Sequence, residues 1–269
     1  MPELAELKIM ADYINHHSKE KTFNKSYHVE KGNNPVEFEL LESFKVEAES
    51  FGKELKIKLK TSKINDSNHD VTSFDIAVFM GMSGNWKFVP TESWDETKYT
   101  RMRLDTTDGY SLLLYGSYMG PKYKVGGFNS TKRGPDPNKQ FEEFKENVLN
   151  NLNKRVFDKP ICEMLLDQKY FNGIGNYLRS TILYYLDVNP FESARKVIQD
   201  NPEILDMCRD IPIKAYQLNG GQLSDWKNPF DTDYEEFKKW VFYQKGISCK
   251  DKTGRTFWFD EKWKDNCPY

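Results

Sequence analysis

Asp167-Gln168-Lys169-Tyr170-Phe171-Asn172-Gly173-Ile174-Gly175-Asn176-Tyr177-Leu178-Arg179 sets two glycines in a sharp turn between apolar helical segments and ends on Asn176 at a helix start. Glycine admits positive φ and a close approach by a ligand. The first turn of the following helix offers unpaired N–H groups and the positive end of its dipole, so this geometry suits a phosphate without a side-chain cation. A helix–turn–helix connection with no ligand fits the same residues.

The chain opens Met1-Pro2-Glu3-Leu4-Ala5-Glu6-Leu7. Removal of Met1 would expose the secondary amine of Pro2 beside the Glu3 carboxyl. An α-amino group, with a reference pKa of about 7.7–8.0, keeps an appreciable unprotonated fraction at neutral pH and is a competent nucleophile. Pro at the first helical position and Glu in the first turn are also ordinary helix-start residues.

Pro2-Glu3-Leu4 with Glu6, Gly52-Lys53, Gly81-Met82-Ser83-Gly84, and Asn172-Gly173-Ile174-Gly175-Asn176 follow one another in the order typical of the Fpg/Nei family of DNA glycosylases. Glu146-Asn147-Val148-Leu149, Phe157-Asp158-Lys159-Pro160-Ile161-Cys162-Glu163 and Thr253-Gly254-Arg255-Thr256-Phe257-Trp258-Phe259 resemble most the endonuclease VIII-like 1 branch of that family. The resemblance spans nearly the whole chain.

At 269 residues the chain is long enough for two domains with separate cores. Its 38% apolar and 30% charged residues suit a globular protein. No run approaches the about 18 apolar residues of a membrane span, and the first residues lack a signal-peptide core, so neither a membrane nor secretion is expected. Cys162, Cys208, Cys249 and Cys267 have no framework spacing, which fits free thiols in a reducing compartment. A net charge of −2 argues mildly against a nucleic-acid partner. Its distribution argues the other way, because residues 238–264 carry eight Lys or Arg against three Asp or Glu, interleaved with Trp240, Phe242, Tyr243, Phe257, Trp258 and Phe259. A solvated face accounts for such a run as well as a DNA-binding surface does.

Leu4, Leu7, Ala11 and Ile14 recur at helical spacing and predict an amphipathic helix over residues 3–18. Short alternating segments follow at 36–41, 44–49, 55–59, 73–79, 86–89, 99–104 and 111–115, a β-sandwich pattern. Gly126-Gly127, Gly134-Pro135 and Pro137 mark residues 126–138 as a linker between an N-terminal domain, 1–125, and a C-terminal domain, 139–269. Within the second, helices are predicted over 177–186 and 234–243, then a β-hairpin turning at Lys252-Thr253-Gly254. The expected class is α+β, an N-terminal β-sandwich with flanking helices and a C-terminal helix-two-turn-helix domain carrying a β-hairpin finger at about 237–263.

The resemblance implies a catalytic set of Pro2, Glu3 and Lys53. The Pro2 amine would attack C1′ and form a Schiff base, Glu3 would act as general acid and base, and Lys53 would contact a phosphate beside the lesion. It further implies DNA-binding roles for Gly173, Gly175, Asn176 and Arg255, and a void-filling role for Met82, whose alternative is a flexible core filler. The isolated Cys249 and Cys267 cannot supply the two close pairs of a four-cysteine site, so the finger is expected to be zincless, with no metal and no cofactor. Relatives carry an Arg-Arg-Phe-Gly loop where this chain reads Gly116-Ser117-Tyr118-Met119-Gly120-Pro121, leaving Tyr118 or Met119 as the wedge. Thr181 stands where relatives have glutamate, and the glycines of Gln217-Leu218-Asn219-Gly220-Gly221 specify no lesion. The expected activity is a bifunctional DNA glycosylase/AP lyase of base excision repair. It would act as a monomer on double-stranded DNA containing oxidised pyrimidines, ring-opened purines or abasic sites, ending in β- or β,δ-elimination. The rival is a non-catalytic binder of damaged or branched DNA on the same scaffold. The expected compartment is the nucleus in a eukaryote, otherwise the cytoplasm or a viral replication site.

Overall fold

The computed structural model describes residues 2–29, 35–37, 43–65, 68–93, 99–116, 120–126, 132–221 and 229–269. The chain divides into two compact units, one of Met1–Pro2, Glu6–Asn129 and Gly221–Lys227, the other of Glu3–Ala5, Ser130–Gly220 and Asn228–Tyr269.

The first unit is a β-sandwich with most of helix α1 (Leu4–Ser18). Its strands are β1 (Phe23–Val29), β2 (Pro35–Glu37), β3 (Lys45–Phe51), β4 (Glu54–Asn65), β5 (Asn68–Phe79), β6 (Asn85–Pro90), β7 (Thr100–Thr106), β8 (Tyr110–Tyr115) and β9 (Lys122–Val125). They form antiparallel sheets in the orders β2-β1-β7-β8-β6 and β3-β4-β5-β9. Strand β4 displays the cause. Leu55, Ile57 and Leu59 are buried while Lys56, Lys58 and Lys60, on the opposite face, stay partly exposed, so a one-residue slip in register would bury three lysines. Strands β1 and β9 were not legible in the sequence. Of the described side chains in β1, only Phe23 and Ser26 are buried, leaving no apolar alternation to read. The predicted strand at 36–41 is described only as far as Glu37.

The second unit holds helices α2 (Phe141–Leu149), α3 (Ile161–Met164), α4 (Asn176–Leu186), α5 (Ala194–Asp200), α6 (Ile204–Gln217) and α7 (Tyr234–Trp240), then a hairpin of β10 (Ile247–Lys250) and β11 (Thr256–Phe259). Their shared core includes Phe144, Phe157, Leu178, Ile182, Leu205 and Phe257, and Leu4 and Ala5 of the N-terminal segment are buried in it. Helix α6 is masked in the sequence by Pro212, which sits inside it although Ile204, Leu205, Cys208, Ile211 and Ala215 keep helical spacing. Helix α7 ends at Trp240, three residues short of its predicted end, because Val241 turns to an extended conformation with φ −61° and ψ 134°. Among the described residues no helix is long and apolar enough to cross a membrane.

Candidate active site

The glycine turn does hold an acceptor group, and the group is the carboxyl of the protein's own Glu3. Helix α4 starts after Gly175, which supplies no capping side chain. The N–H groups of Tyr177 and Leu178 instead donate to the two carboxylate oxygens of Glu3, at 3.0 Å and 3.2 Å. Glu3 is only 3% exposed, and the first turn of α4 orients it as a helix cap would, from far away in sequence.

Both glycines are explained by this approach, each differently. Gly173 has φ +97°, and a Cβ there would lie 2.5 Å from Leu4 Cδ1. The Gly173 carbonyl accepts from the Leu4 N–H at 3.1 Å, which pins the backbone next to Glu3. Gly175 has φ −127°, an extended conformation open to any residue. Its requirement is space, since a Cβ would fall 2.2 Å from Glu3 Cδ and 2.4 Å from Oε1. The close approach expected of a ligand is therefore made by the N-terminal segment.

Gln168 shapes the turn from below. Its Oε1 accepts from the Gly173 N–H at 3.0 Å, and its Nε2 donates to the carbonyls of Leu166 and Ile174 at 3.0 Å and 2.9 Å. Asn176 is engaged within the protein as well. Its Nδ2 donates to the Thr256 carbonyl at 2.7 Å, and its Oδ1 accepts from Nε and Nη2 of Arg179 at 3.0 Å and 2.6 Å. The amide expected to face a phosphate thus ties α4 to the hairpin. Arg255 stands at the hairpin tip, exposed, its guanidinium without a hydrogen-bond or ion-pair partner among the described residues. Glu3, Gly173, Gly175, Asn176 and Arg255 all belong to the second unit, whereas Pro2, Lys53 and Met82 belong to the first.

In the first unit, Gly52 and Lys53 form the two-residue turn between β3 and β4, with Phe51 paired to Glu54. Gly52 has φ +54°, the positive value a type II′ hairpin needs at its first central position, and the turn leaves Lys53 half-buried. Met82 lies 52% exposed in the turn between β5 and β6. That turn is closed by a 2.8 Å bond from Gly84 N–H to the Met80 carbonyl, where a Cβ on Gly84 would meet the same oxygen at 2.3 Å. A methionine this exposed is not a core filler. Tyr118 and Met119 lie outside the described residues.

The profile of the formamidopyrimidine-DNA glycosylase N-terminal domain matches residues 1–117. Human Endonuclease 8-like 1 is 32% identical over 290 residues, an alignment covering 96% of this chain and 72% of that protein. The chain belongs to the Fpg/Nei family of DNA glycosylases. Two solved Fpg structures share the fold at lower identity. MutM (Fpg) from Thermus thermophilus superposes with a TM-score of 0.74 at 18% identity over 99% of this chain and 100% of the other. Wild-type Lactococcus lactis Fpg, solved with an oxidised pyrimidine containing DNA, gives 0.73 at 16% identity over 97% and 99%.

Thr181, the position where the resemblance leads one to expect glutamate, is tied into the local backbone. The fully buried hydroxyl donates to the Tyr177 carbonyl at 2.8 Å and accepts from the Phe242 N–H at 3.2 Å, satisfying the backbone where α7 ends. Sequence reasoning missed Gln168, Arg179 and Asp251. The Arg179 and Asp251 side chains, both 0% exposed, pair at 2.9 Å. The available signal was an arginine in the first turn of the helix that follows the glycine turn and an aspartate opening a Thr-Gly hairpin tip.

Burial opposes ionisation of Asp251, but hydrogen bonds from Thr253, Arg179 and the Arg255 N–H outweigh it and hold the carboxyl below its usual range. A carboxyl depressed in the folded state contributes stability that is complete above its unfolded pKa of about 3.9 and is lost as pH falls through the folded value. The protection factors of the β10–β11 amides, that is the intrinsic exchange rate at each pH divided by the observed one, should therefore fall in that acid range and recover on neutralisation. Protection factors that are flat from neutral pH through the acid range would leave the pair without this role.

Burial pushes the Cys162 and Cys249 thiols up to about 12 and raises Cys208 as well, the opposite of what a thiolate nucleophile requires. Among the described residues no three His, Cys, Asp or Glu side chains are grouped to hold a metal. The hairpin is packed instead by Phe257 and Phe259 against Phe191, at ring-centroid distances of 6.1 Å and 4.9 Å. Elemental analysis should find no stoichiometric zinc in dialysed protein. About one tightly held zinc per chain would point back to Cys249 and Cys267.

Proposed function

We propose that the chain is a bifunctional DNA glycosylase/AP lyase that removes oxidised bases from double-stranded DNA through the amine of Pro2. The observation that carries this reading is the Glu3 carboxylate, immediately after Pro2 in the chain, buried and oriented by two N–H donors at the start of α4. With Met1 removed, the Pro2 nitrogen would attack C1′ as Glu3 protonates the ring oxygen. The C1′–O4′ bond opens as its oxygen takes the proton of the Glu3 carboxyl, the glycosidic bond breaks, the base leaves with the proton given up by the Pro2 N–H, and an iminium joins Pro2 to the opened sugar. That cation acidifies the C2′ proton, whose removal expels the 3′-phosphate, and water then releases the amine. The oxidised-pyrimidine DNA bound by the Lactococcus protein supports the same lesion class here.

Borohydride reduction during turnover tests the proposal, because it converts the iminium to a stable amine. Covalent protein–DNA product is expected with an abasic duplex, and its formation by protein verified to retain Met1 would remove Pro2 from the mechanism. Lys53 and Arg255 are assigned to flanking phosphates, where a planar guanidinium fits best. Arg255→Ala should weaken binding and flatten the dependence of log affinity on log salt by about one unit for each phosphate that the guanidinium neutralises. Lowered thermal stability with an unchanged salt slope would make Arg255 a structural residue.

A further inference from the structure

Arg179 and Asp251 form an ion pair with no solvent contact, an arrangement that apolar residues of similar volume would usually match for stability at less desolvation. What an ionic pair adds is direction. Arg179 spends its guanidinium on three partners besides Asp251, namely Asn176 Oδ1, the Cys162 carbonyl at 2.9 Å from Nη1, and the face of Phe257, 4.8 Å from the ring centroid. Asp251 divides its oxygens. Oδ2 takes Arg179 at 2.9 Å, while Oδ1 accepts from the Thr253 N–H, the Thr253 hydroxyl and the Arg255 N–H, at 2.9, 2.7 and 3.0 Å. Its N–H also donates to the Arg255 carbonyl at 2.9 Å, so both peptide groups of Arg255 are held by one aspartate.

These contacts make a continuous strut. Glu3 is held by the first turn of α4, Arg179 projects from that turn, Arg179 grips Asp251, and Asp251 grips the backbone of Arg255. We infer that Arg179 and Asp251 are positioning residues that place the Arg255 guanidinium for its phosphate relative to the Glu3 carboxylate. The inference rests on the reading of Arg255 as a phosphate ligand.

The test is equilibrium binding, across a salt series, to a duplex bearing one tetrahydrofuran abasic analogue, which can be bound but not turned over. Arg255→Ala, Asp251→Asn, their double variant and Arg179→Lys are compared with the unaltered protein. Asp251→Asn should flatten the salt slope by about 0.9, the value of one neutralised phosphate, so its deficit narrows about threefold to fourfold between about 50 and about 200 mM salt. The double variant should match Asp251→Asn, because an arginine already misplaced has nothing left to lose. If Asp251→Asn does not fold, Arg179→Lys carries the test, since lysine keeps the buried charge paired but cannot reach Asn176, Cys162 and Asp251 together. An unaltered slope in Asp251→Asn or Arg179→Lys, with Arg255→Ala still flattened, would overturn the positioning role alone. An unaltered slope in Arg255→Ala would overturn the phosphate reading and this inference with it.

Discussion

Replacing Glu3 by Gln is expected to slow excision of an oxidised base by about 10²–10⁴-fold, the usual worth of a general acid–base group. The loss should be smaller on a duplex that is already abasic, where the aldehyde is available to Pro2 and no base need be expelled. The substitution is nearly isosteric, but it disturbs the cap. Tyr177 and Leu178 present two N–H donors to two carboxylate oxygens, and an amide has only one oxygen to offer. One donor would be left buried and unpaired, at about 1–3 kcal/mol. Single-turnover excision and borohydride trapping, measured side by side with thermal melting, separate these effects. Equal losses in excision and trapping would mean that the variant is only misfolded or that Glu3 holds Pro2 rather than moving protons.

Gly175→Ala is expected to do comparable damage without touching a titratable group. The backbone at φ −127° accepts alanine, so no conformational strain enters. The added methyl would stand 2.2 Å from Glu3 Cδ, and the carboxylate must move off the Tyr177 and Leu178 N–H groups to admit it. Overpacking of this kind costs about 1–3 kcal/mol, and displacement of a catalytic carboxyl by about an ångström can cost about 10²-fold in rate. Excision should fall while the salt slope of DNA binding, set by phosphate contacts, stays unaltered. A Gly175→Ala protein with full excision and unaltered melting would show that the turn has room to spare.

The helices with strong apolar periodicity were legible at once. Leu4, Leu7, Ala11 and Ile14 gave α1, and residues 177–186 gave α4 to within one residue. The alternation of β4 was equally plain because each lysine between its apolar residues must face away from the core. Strand β1 was hidden because its described side chains carry little apolar alternation, and α6 because Pro212 reads as a helix breaker although five apolar neighbours outweigh one missing hydrogen bond.

The order of motifs along the chain, from Pro2-Glu3 through Asn172–Asn176 to Arg255, determined the family, because residue type and order are fixed before any contact forms. Which group satisfies which was decided only by folding. That Gly175 makes room for Glu3 rather than for a phosphate, that Asn176 turns to the hairpin, and that Arg179 meets Asp251 across 72 residues are long-range pairings. No local pattern encodes them, since each depends on which buried donor lacks an acceptor once the core has closed.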